Sequence, residues 1–296
     1  MLDRRQKLIE VFRDTQAFYM ENKQLTAAIA GSMKGTRFYA VDDYPVLPGK
    51  RESPATVSVT KNTSFKAASE RYFWHGQERI AVLNFASAVN PGGGVRSGSG
   101  AQEESLCRCS TLYPTLLLKS LWEKYYEPNR IAGDPLHTDA CIWSPGIIIC
   151  KSDDPIPRRL EQDEWTKVDV ISCAAPNLRE HTGNIHNPEN AQSIKLTNEE
   201  QYEIHLKRAK HILHICAAQR ADAVILGAFG CGAFANDPWA VARAYRDALT
   251  EYGQYFSYIE FAVYCRDYET ANYNAFQATL DAGADLSNKK MDNEIN

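Results

Sequence analysis

Glu103 and Glu104 stand side by side at the end of the stretch Asn90–Glu104, which reads NPGGGVRSGSGAQEE. Paired carboxylates suit the transfer of a proton to a leaving oxygen, or a grip on sugar hydroxyls. Gly92, Gly93 and Gly94 precede Gln102 by a spacer of seven residues. They strip the Cβ atoms from a piece of backbone, so a ligand can approach the main chain itself. A close-approach turn feeding two carboxylates fits a site that binds something sugar-like or phosphorylated and then acts on it.

A second glycine-rich run, GAFGCGAFANDP, supplies Gly227, Gly230 and Gly232. Amides freed in such a loop can form a nest for a diphosphate, aided by a following helix N-terminus. The plainer reading is a tight strand-to-helix turn. Phe229 and Phe234 would pack on a ribose or base in the first case and anchor the loop in the second. No GKS or GKT follows and the run is not GxGxxG, which disfavours a P-loop ATPase and a Rossmann dehydrogenase. The glutamates also have a plain reading. Ser99-x-x-Gln102 has the spacing of a capping box, and acidic residues favour a first helical turn. Adjacent helical positions diverge by about 100°, so the two carboxylates cannot serve one atom alike. One points into the pocket and the other acts beside it.

The elements that must position these loops follow from periodicity. Residues 2–30 read as a helix with Leu8, Val11, Phe12, Leu25, Ala28 and Ile29 on one face, stopped by Gly31. Residues 31–55, with three prolines, read as a linker or extended arm. Strands are expected at Thr56–Thr60, Arg79–Phe85, Lys167–Ala174, Ala223–Gly227 and Tyr258–Tyr264. Two strand-like runs flank a Ser-Pro-Gly turn within Asp139–Lys151. Helices are expected over Ser64–Tyr72, from about Gly100 onward with an interruption near Pro114, and over Asn198–Arg220, Pro238–Tyr252 and Ala271–Leu280. Residues 177–197 read as a polar loop. Strands apolar on both faces, separated by helices, indicate an α/β layered fold with a mostly parallel or mixed sheet. Both glycine runs follow such strands, where ligands of open α/β sheets bind.

The chain has 296 residues and a formal net charge of −4, which removes the electrostatic case for duplex DNA or an anionic membrane as the main partner. No leader-like apolar segment opens the sequence and no run approaches membrane-span length. The eight cysteines form no CxxC pair, and Cys107 with Cys109 makes a poor zinc half-site. Cys141, Cys150, Cys173, Cys216 and Cys265 sit in apolar runs as small hydrophobes, so a reduced, intracellular protein is expected. His211 and His214, with His205 one turn earlier, lack an acidic partner and read as a packed or solvated helix face rather than a metal site.

VLNFASAVNPGGGVRSGSGAQEESLCRCSTLY closely resembles the signature of the microbial-type poly(ADP-ribose) glycohydrolases, a branch of the macrodomain superfamily marked by GGG, a short spacer and QEE. The resemblance continues through VDVISCAAPN at 168–177 and VILGAFGCGAFANDP at 224–238, the latter similar to the family's diphosphate-binding loop. SPGIIICKSDD at 144–154 departs from it, lacking an arginine the family usually shows there. The resemblance implies a three-layer α/β/α macrodomain with a mixed central sheet and an N-terminal helical extension. Residues 1–55 would form that extension and arm, 56–284 the catalytic core and 285–296 a polar tail. It further implies hydrolysis of the ribose–ribose O-glycosidic bonds of poly(ADP-ribose), with Glu104 as general acid and Glu103 holding ribose hydroxyls. Asn90, Gly92, Gly93, Gly94 and Gln102 would hold the distal ribose end. Gly227, Gly230, Cys231, Gly232, Ala233 and Phe234 would form the diphosphate loop. No metal or cofactor is implied. The expected partners are poly(ADP-ribose), ADP-ribose and poly(ADP-ribosyl)ated proteins, met in the cytoplasm or nucleus. A reader that binds ADP-ribose without turnover is one competing reading, against which the intact Gln102-Glu103-Glu104 favours the enzyme, and a hydrolase of mono-ADP-ribosyl groups or of a small ADP-ribose ester is another.

Overall fold

A strand covered on both faces must be apolar at successive positions, and IAVLNF meets that demand. In the computed structural model, which describes residues 3–76, 78–180 and 194–281, this segment is β3 (Ile80–Phe85) at the centre of the sheet. The other strands are β1 (Arg37–Tyr39), β2 (Thr56–Thr60), β4 (Cys141–Ile149), β5 (Thr166–Cys173), β6 (Ala223–Leu226) and β7 (Tyr258–Ala262). They form one seven-stranded sheet in the order β1-β4-β5-β3-β6-β7-β2. The pairs from β5 through β3, β6 and β7 to β2 are parallel, whereas β4 runs antiparallel to both β5 and β1. The sheet is mixed, as expected.

The helices are α1 (Arg4–Glu21), α2 (Lys23–Gly35), α3 (Ser64–His75), α4 (Gln102–Cys109), α5 (Leu112–Leu116), α6 (Lys119–Leu121), α7 (Glu127–Ala132), α8 (Asn198–Ala218), α9 (Pro238–Tyr252) and α10 (Ala271–Asp281). Period-two alternation divides β3 between two cores. Ala81 and Leu83 pack with residues of α8, α9 and α10, such as Ile212, Val241 and Phe276. Ile80 and Val82 pack with Phe12 of α1, Phe65 of α3, Leu106 of α4 and Leu112 of α5. Two apolar layers, one on each face of the sheet, make a three-layer α/β/α sandwich. None of the helices described is long and apolar enough to cross a membrane.

Five expectations are corrected. The first helix is two, because Asn22 adopts an extended backbone and its side chain accepts the amides of Gln24 (2.9 Å) and Leu25 (3.1 Å), capping α2. Gly31 lies inside α2 and stops nothing. The 31–55 segment is more than an arm, since it supplies β1, with Arg37 opposite Trp143. Ser-Pro-Gly is no turn between two strands: β4 runs through it as a bulge between Ser144 and Ile147, where the Gly146 amide donates to Asp169 at 2.7 Å. Finally, the helix from Gln102 breaks at Ser110 rather than at Pro114. Pro114 sits in the first turn of α5, where its missing N–H is not needed. The short helical pieces from Lys119 to Ala132, including a π-helical turn at Trp122–Tyr126, carry no periodic signal strong enough to foresee. Residues 181–193 of the expected polar loop and the 285–296 tail lie outside the described residues.

Candidate active site

The two glycine runs meet because their strands are neighbours. β3 and β6 are parallel and paired, with Val82 opposite Ile225, and β5 flanks β3 on the other side. Their carboxyl ends therefore open on one edge of the sheet, and a cleft of about 930 Å³ lies there.

The helix that carries the carboxylates is fixed at both ends. An α-helix leaves its last four carbonyls without intrahelical donors. In α4 the Arg108 carbonyl accepts Thr15 Oγ1 (2.6 Å) and the Cys109 carbonyl accepts the amides of Cys150 (2.9 Å) and Lys151 (3.0 Å). Ser110 Oγ donates to the Leu106 carbonyl, and Tyr19 hydroxyl to that of Ser110 itself. At the other end Gln102 binds β3 with both ends of its amide. Its Nε2 donates to the Leu83 carbonyl (2.7 Å) and its Oε1 accepts the Phe85 amide (2.9 Å). The expected capping box does not form: Ala101 is the N-cap, without a side-chain cap, and Gln102 is engaged elsewhere.

Glu103 and Glu104 are 3% and 8% exposed, and both close on the glycine turn. Gly93 has φ +56°, and a Cβ there would lie 2.5 Å from Glu104 Oε1 and 3.0 Å from Glu103 Oε2. Only glycine fits, on both counts. Glu104 Oε1 accepts the Gly94 amide at 2.9 Å, while its Oε2 has no hydrogen-bond partner among the described residues. Glu103 is turned inward: Oε2 accepts the Ser87 amide at 2.8 Å and Oε1 faces Asn84 Nδ2 at 3.4 Å. Burial, reinforced by the charge of Glu104, raises the Glu103 pKa well above the ordinary glutamate value, although the Ser87, Asn84 and Gly92 donors oppose this. Divergence along the helix has thus given the two carboxyls different work.

The second loop presents bare backbone. The amides of Gly232, Ala233 and Phe234 donate to no protein group among the described residues. Gly230 has φ +80°, and a Cβ there would lie 2.7 Å from both Ala175 Cβ and Asn236 Nδ2. Asn236 braces the loop from below, donating to the carbonyls of Pro176 (2.7 Å) and Gly230 (3.0 Å). The following helix N-terminus offers less than the sequence suggests, because Asp237 caps α9 by accepting the Ala240 amide.

Of the residues singled out in the sequence, Asn90, Gly93, Gly94, Gln102, Glu103, Glu104, Gly230, Gly232, Ala233 and Phe234 line the cleft. Gly92, Gly227 and Cys231 do not. Gly92 abuts the Tyr113 ring while its amide serves Glu103, and Gly227 abuts the Ala262 carbonyl as a matter of packing. Cys231 packs against the core beneath α8 and α9, and burial pushes its thiol up. His205, His211 and His214 serve structure, bonding Asn236 (2.9 Å), the Asp139 carbonyl (2.8 Å) and the Pro45 carbonyl (2.7 Å).

The cleft also holds groups that sequence reasoning missed. Arg5 of α1 lines it and donates to the Ser97 carbonyl at 2.5 Å. Arg179 lies 5.5 Å from the Phe234 ring, held by Asn177 Oδ1 at 2.9 Å. His137 stands on the wall as a neutral imidazole, since burial and then the Arg208 charge push it down to about 4. Nothing in a single sequence ties Arg5 to a loop 92 positions away. The strand VDVISC, by contrast, points to residues just beyond its carboxyl end, Asn177 and Arg179 among them.

These features define a class: an α/β/α hydrolase-type cleft in which a carboxylate pair closes on a glycine turn beside an anion-ready loop. The catalytic-domain profile of microbial-type PARG matches residues 8–152. Poly(ADP-ribose) glycohydrolase from Thermomonospora curvata superposes with a TM-score of 0.78 at 28% identity, over 92% of this chain and 98% of that one. The same enzyme bound to the inhibitor ADP-HPD gives 0.76 at 29%, over 92% and 99%. Poly(ADP-ribose) glycohydrolase from Deinococcus radiodurans in complex with ADP-ribose gives 0.71 at 32%, over 86% and 97%. A search of curated proteins finds no match. The chain belongs to the microbial-type poly(ADP-ribose) glycohydrolase family.

Two predictions follow from this geometry. Gly93→Ala displaces both carboxyls and should lower turnover about 100-fold while the fold, read by circular dichroism, is kept; wild-type turnover would contradict the close packing. A carboxyl whose pKa is raised by folding stabilises the fold below its unfolded value and loses that contribution as pH rises through its folded value. Glu103→Gln should therefore gain stability over wild type progressively from about pH 4.3 upward, read by urea unfolding at several pH values. A difference independent of pH would show that Glu103 is not held neutral.

Proposed function

We propose that the chain hydrolyses ribose–ribose O-glycosidic bonds of poly(ADP-ribose), releasing ADP-ribose, with Glu104 as the general acid. The observation that carries this is Glu104 Oε2, buried on the cleft wall with no partner among the described residues while its sister oxygen is pinned by the Gly94 amide. An acid catalyst needs a fixed carboxyl with one oxygen free for the leaving group, and geometry takes precedence over proton affinity in choosing it. Burial raises the proton affinity of Glu103, but its oxygens face Ser87 and Asn84. A neutral Glu103 can donate to a ribose hydroxyl, which suits the role of holding the distal ribose.

In the proposed reaction the Glu104 carboxyl gives its proton to the bridging oxygen as the bond from that oxygen to the anomeric carbon breaks. The oxocarbenium-like carbon is taken by water, whose proton returns to the Glu104 carboxylate. A single catalytic carboxyl is used, unlike the separated pair of ordinary glycosidases. The bare amides of Gly232, Ala233 and Phe234, with the Arg179 guanidinium beside the Phe234 ring, suit the diphosphate that spans the ADP-ribose unit. The partners proposed are ADP-ribose, its polymer and proteins that carry it. The relatives from T. curvata and D. radiodurans, with ADP-HPD and ADP-ribose bound, support this choice of ligand.

The test is release of ADP-ribose from polymer. Glu104→Gln should lose about 10²- to 10⁴-fold in turnover with its ADP-ribose affinity kept, and equal release by both proteins would sink the assignment. Binding without release by the wild type would make the protein a reader. Equal rates on polymer and on singly modified protein would favour a mono-ADP-ribosyl hydrolase.

A further inference from the structure

A second concavity of about 480 Å³ shares Asn90, Gly93 and Gly94 with the catalytic cleft. The turn that holds the carboxylates is therefore also the partition between two spaces. The second space is built differently from the first. Tyr113, Leu116 and Trp122 form an apolar and aromatic floor, and Arg96 and Lys119 stand among its walls. The Arg96 guanidinium lies 5.5 Å from the Tyr113 ring centre. Arg130 reaches the same place from α7, 5.2 Å from the Trp122 ring and donating to Asn90 Oδ1 at 3.1 Å. The Lys119 side chain is 88% exposed and has one acidic neighbour, Glu123, at 3.4 Å.

Three cations around an aromatic floor, in a protein of net charge −4, mark a local reversal of field. Aromatic faces take a stacked base, and guanidinium and ammonium groups take phosphate oxygens. The reaction chemistry says what must lie next to the acid on the leaving side. The bridging oxygen that Glu104 protonates belongs to the adenosine ribose of the next polymer unit, so the chain departs through a hydroxyl of that adenosine, with its diphosphate beside it. We infer that the concavity bounded by Arg96, Lys119 and Trp122 is a leaving-group subsite for the adenosine diphosphate portion of that adjacent unit. The inference rests on the glycohydrolase reading and deepens it: the main cleft holds the unit released, and this space holds the chain left behind.

The experiment is calorimetric titration of ADP-ribose and of a two-unit poly(ADP-ribose) oligomer into Glu104→Gln, whose expected loss of turnover lets binding be read before cleavage. The oligomer should bind about tenfold tighter than ADP-ribose, roughly 1.4 kcal/mol. Adding Arg96→Glu and Lys119→Glu should erase that advantage and leave ADP-ribose affinity unchanged. The charge-keeping pair Arg96→Lys and Lys119→Arg should preserve the advantage. An advantage that survives charge reversal, or that is absent before it, overturns the subsite while the glycohydrolase reading stands. Equal weakening of both ligands also overturns it, by assigning these residues to the main cleft. Failure of ADP-ribose itself to bind Glu104→Gln removes the glycohydrolase reading, and the subsite with it.

Discussion

The contact of the Gly93 backbone with the carboxyl groups of Glu103 and Glu104 is the constraint on which the site depends. A side chain at position 93 would occupy the space of both carboxyl groups. With none there, the turn comes close enough for the Gly94 amide to fix one oxygen of Glu104 and leave the other free. That arrangement holds only if α4 cannot slide. The surrounding structure meets this need: Gln102 clamps the start of the helix to β3, and Thr15 and the Cys150–Lys151 backbone take up carbonyls at its end. A catalytic group is positioned well when its supports are themselves locked. The N-terminal helices therefore belong to the site's support, and Arg5 carries them onto its wall.

Electrostatics follow from the same packing. Two adjacent carboxyls out of water cannot both keep their charge cheaply. The structure resolves this by burying Glu103 more completely and raising its proton affinity, with main-chain amides limiting the penalty. The opposite bank is suited to anions, through amides from Gly232 to Phe234 that find no acceptor among the described residues and the cation Arg179 beside the Phe234 ring. The cleft thus separates an end that holds the carboxyl pair from an end of bare amides and a guanidinium.

Much of this was legible in the chain. The GGG turn, the QEE run and the strands IAVLNF and AVIL that deliver both loops follow from local composition and period. A layered α/β fold with a mostly parallel or mixed sheet follows from doubly apolar strands separated by helices, and its three-layer form from the family resemblance. What escaped was set by distant partners. The Asn22 break depends on a single cap, and Ser-Pro-Gly reads as a turn until Asp169 holds the Gly146 amide and makes a bulge of it. Ser99 and Gln102 match a capping box by spacing, but β3 competes for the Gln102 amide and wins. His137 sits in a segment with no periodic signal, and only the fold brings it to the Phe234 ring.

The central claim is that Glu104 supplies a proton to a poor leaving group. It is tested most directly with an ADP-ribose glycoside whose leaving group is nitrophenolate, which departs without protonation. The account predicts that Glu104→Gln cleaves this substrate at close to the wild-type rate while its cleavage of polymer collapses. A loss of equal size on both substrates would contradict it, assigning Glu104 to binding or to the fold instead of to acid catalysis.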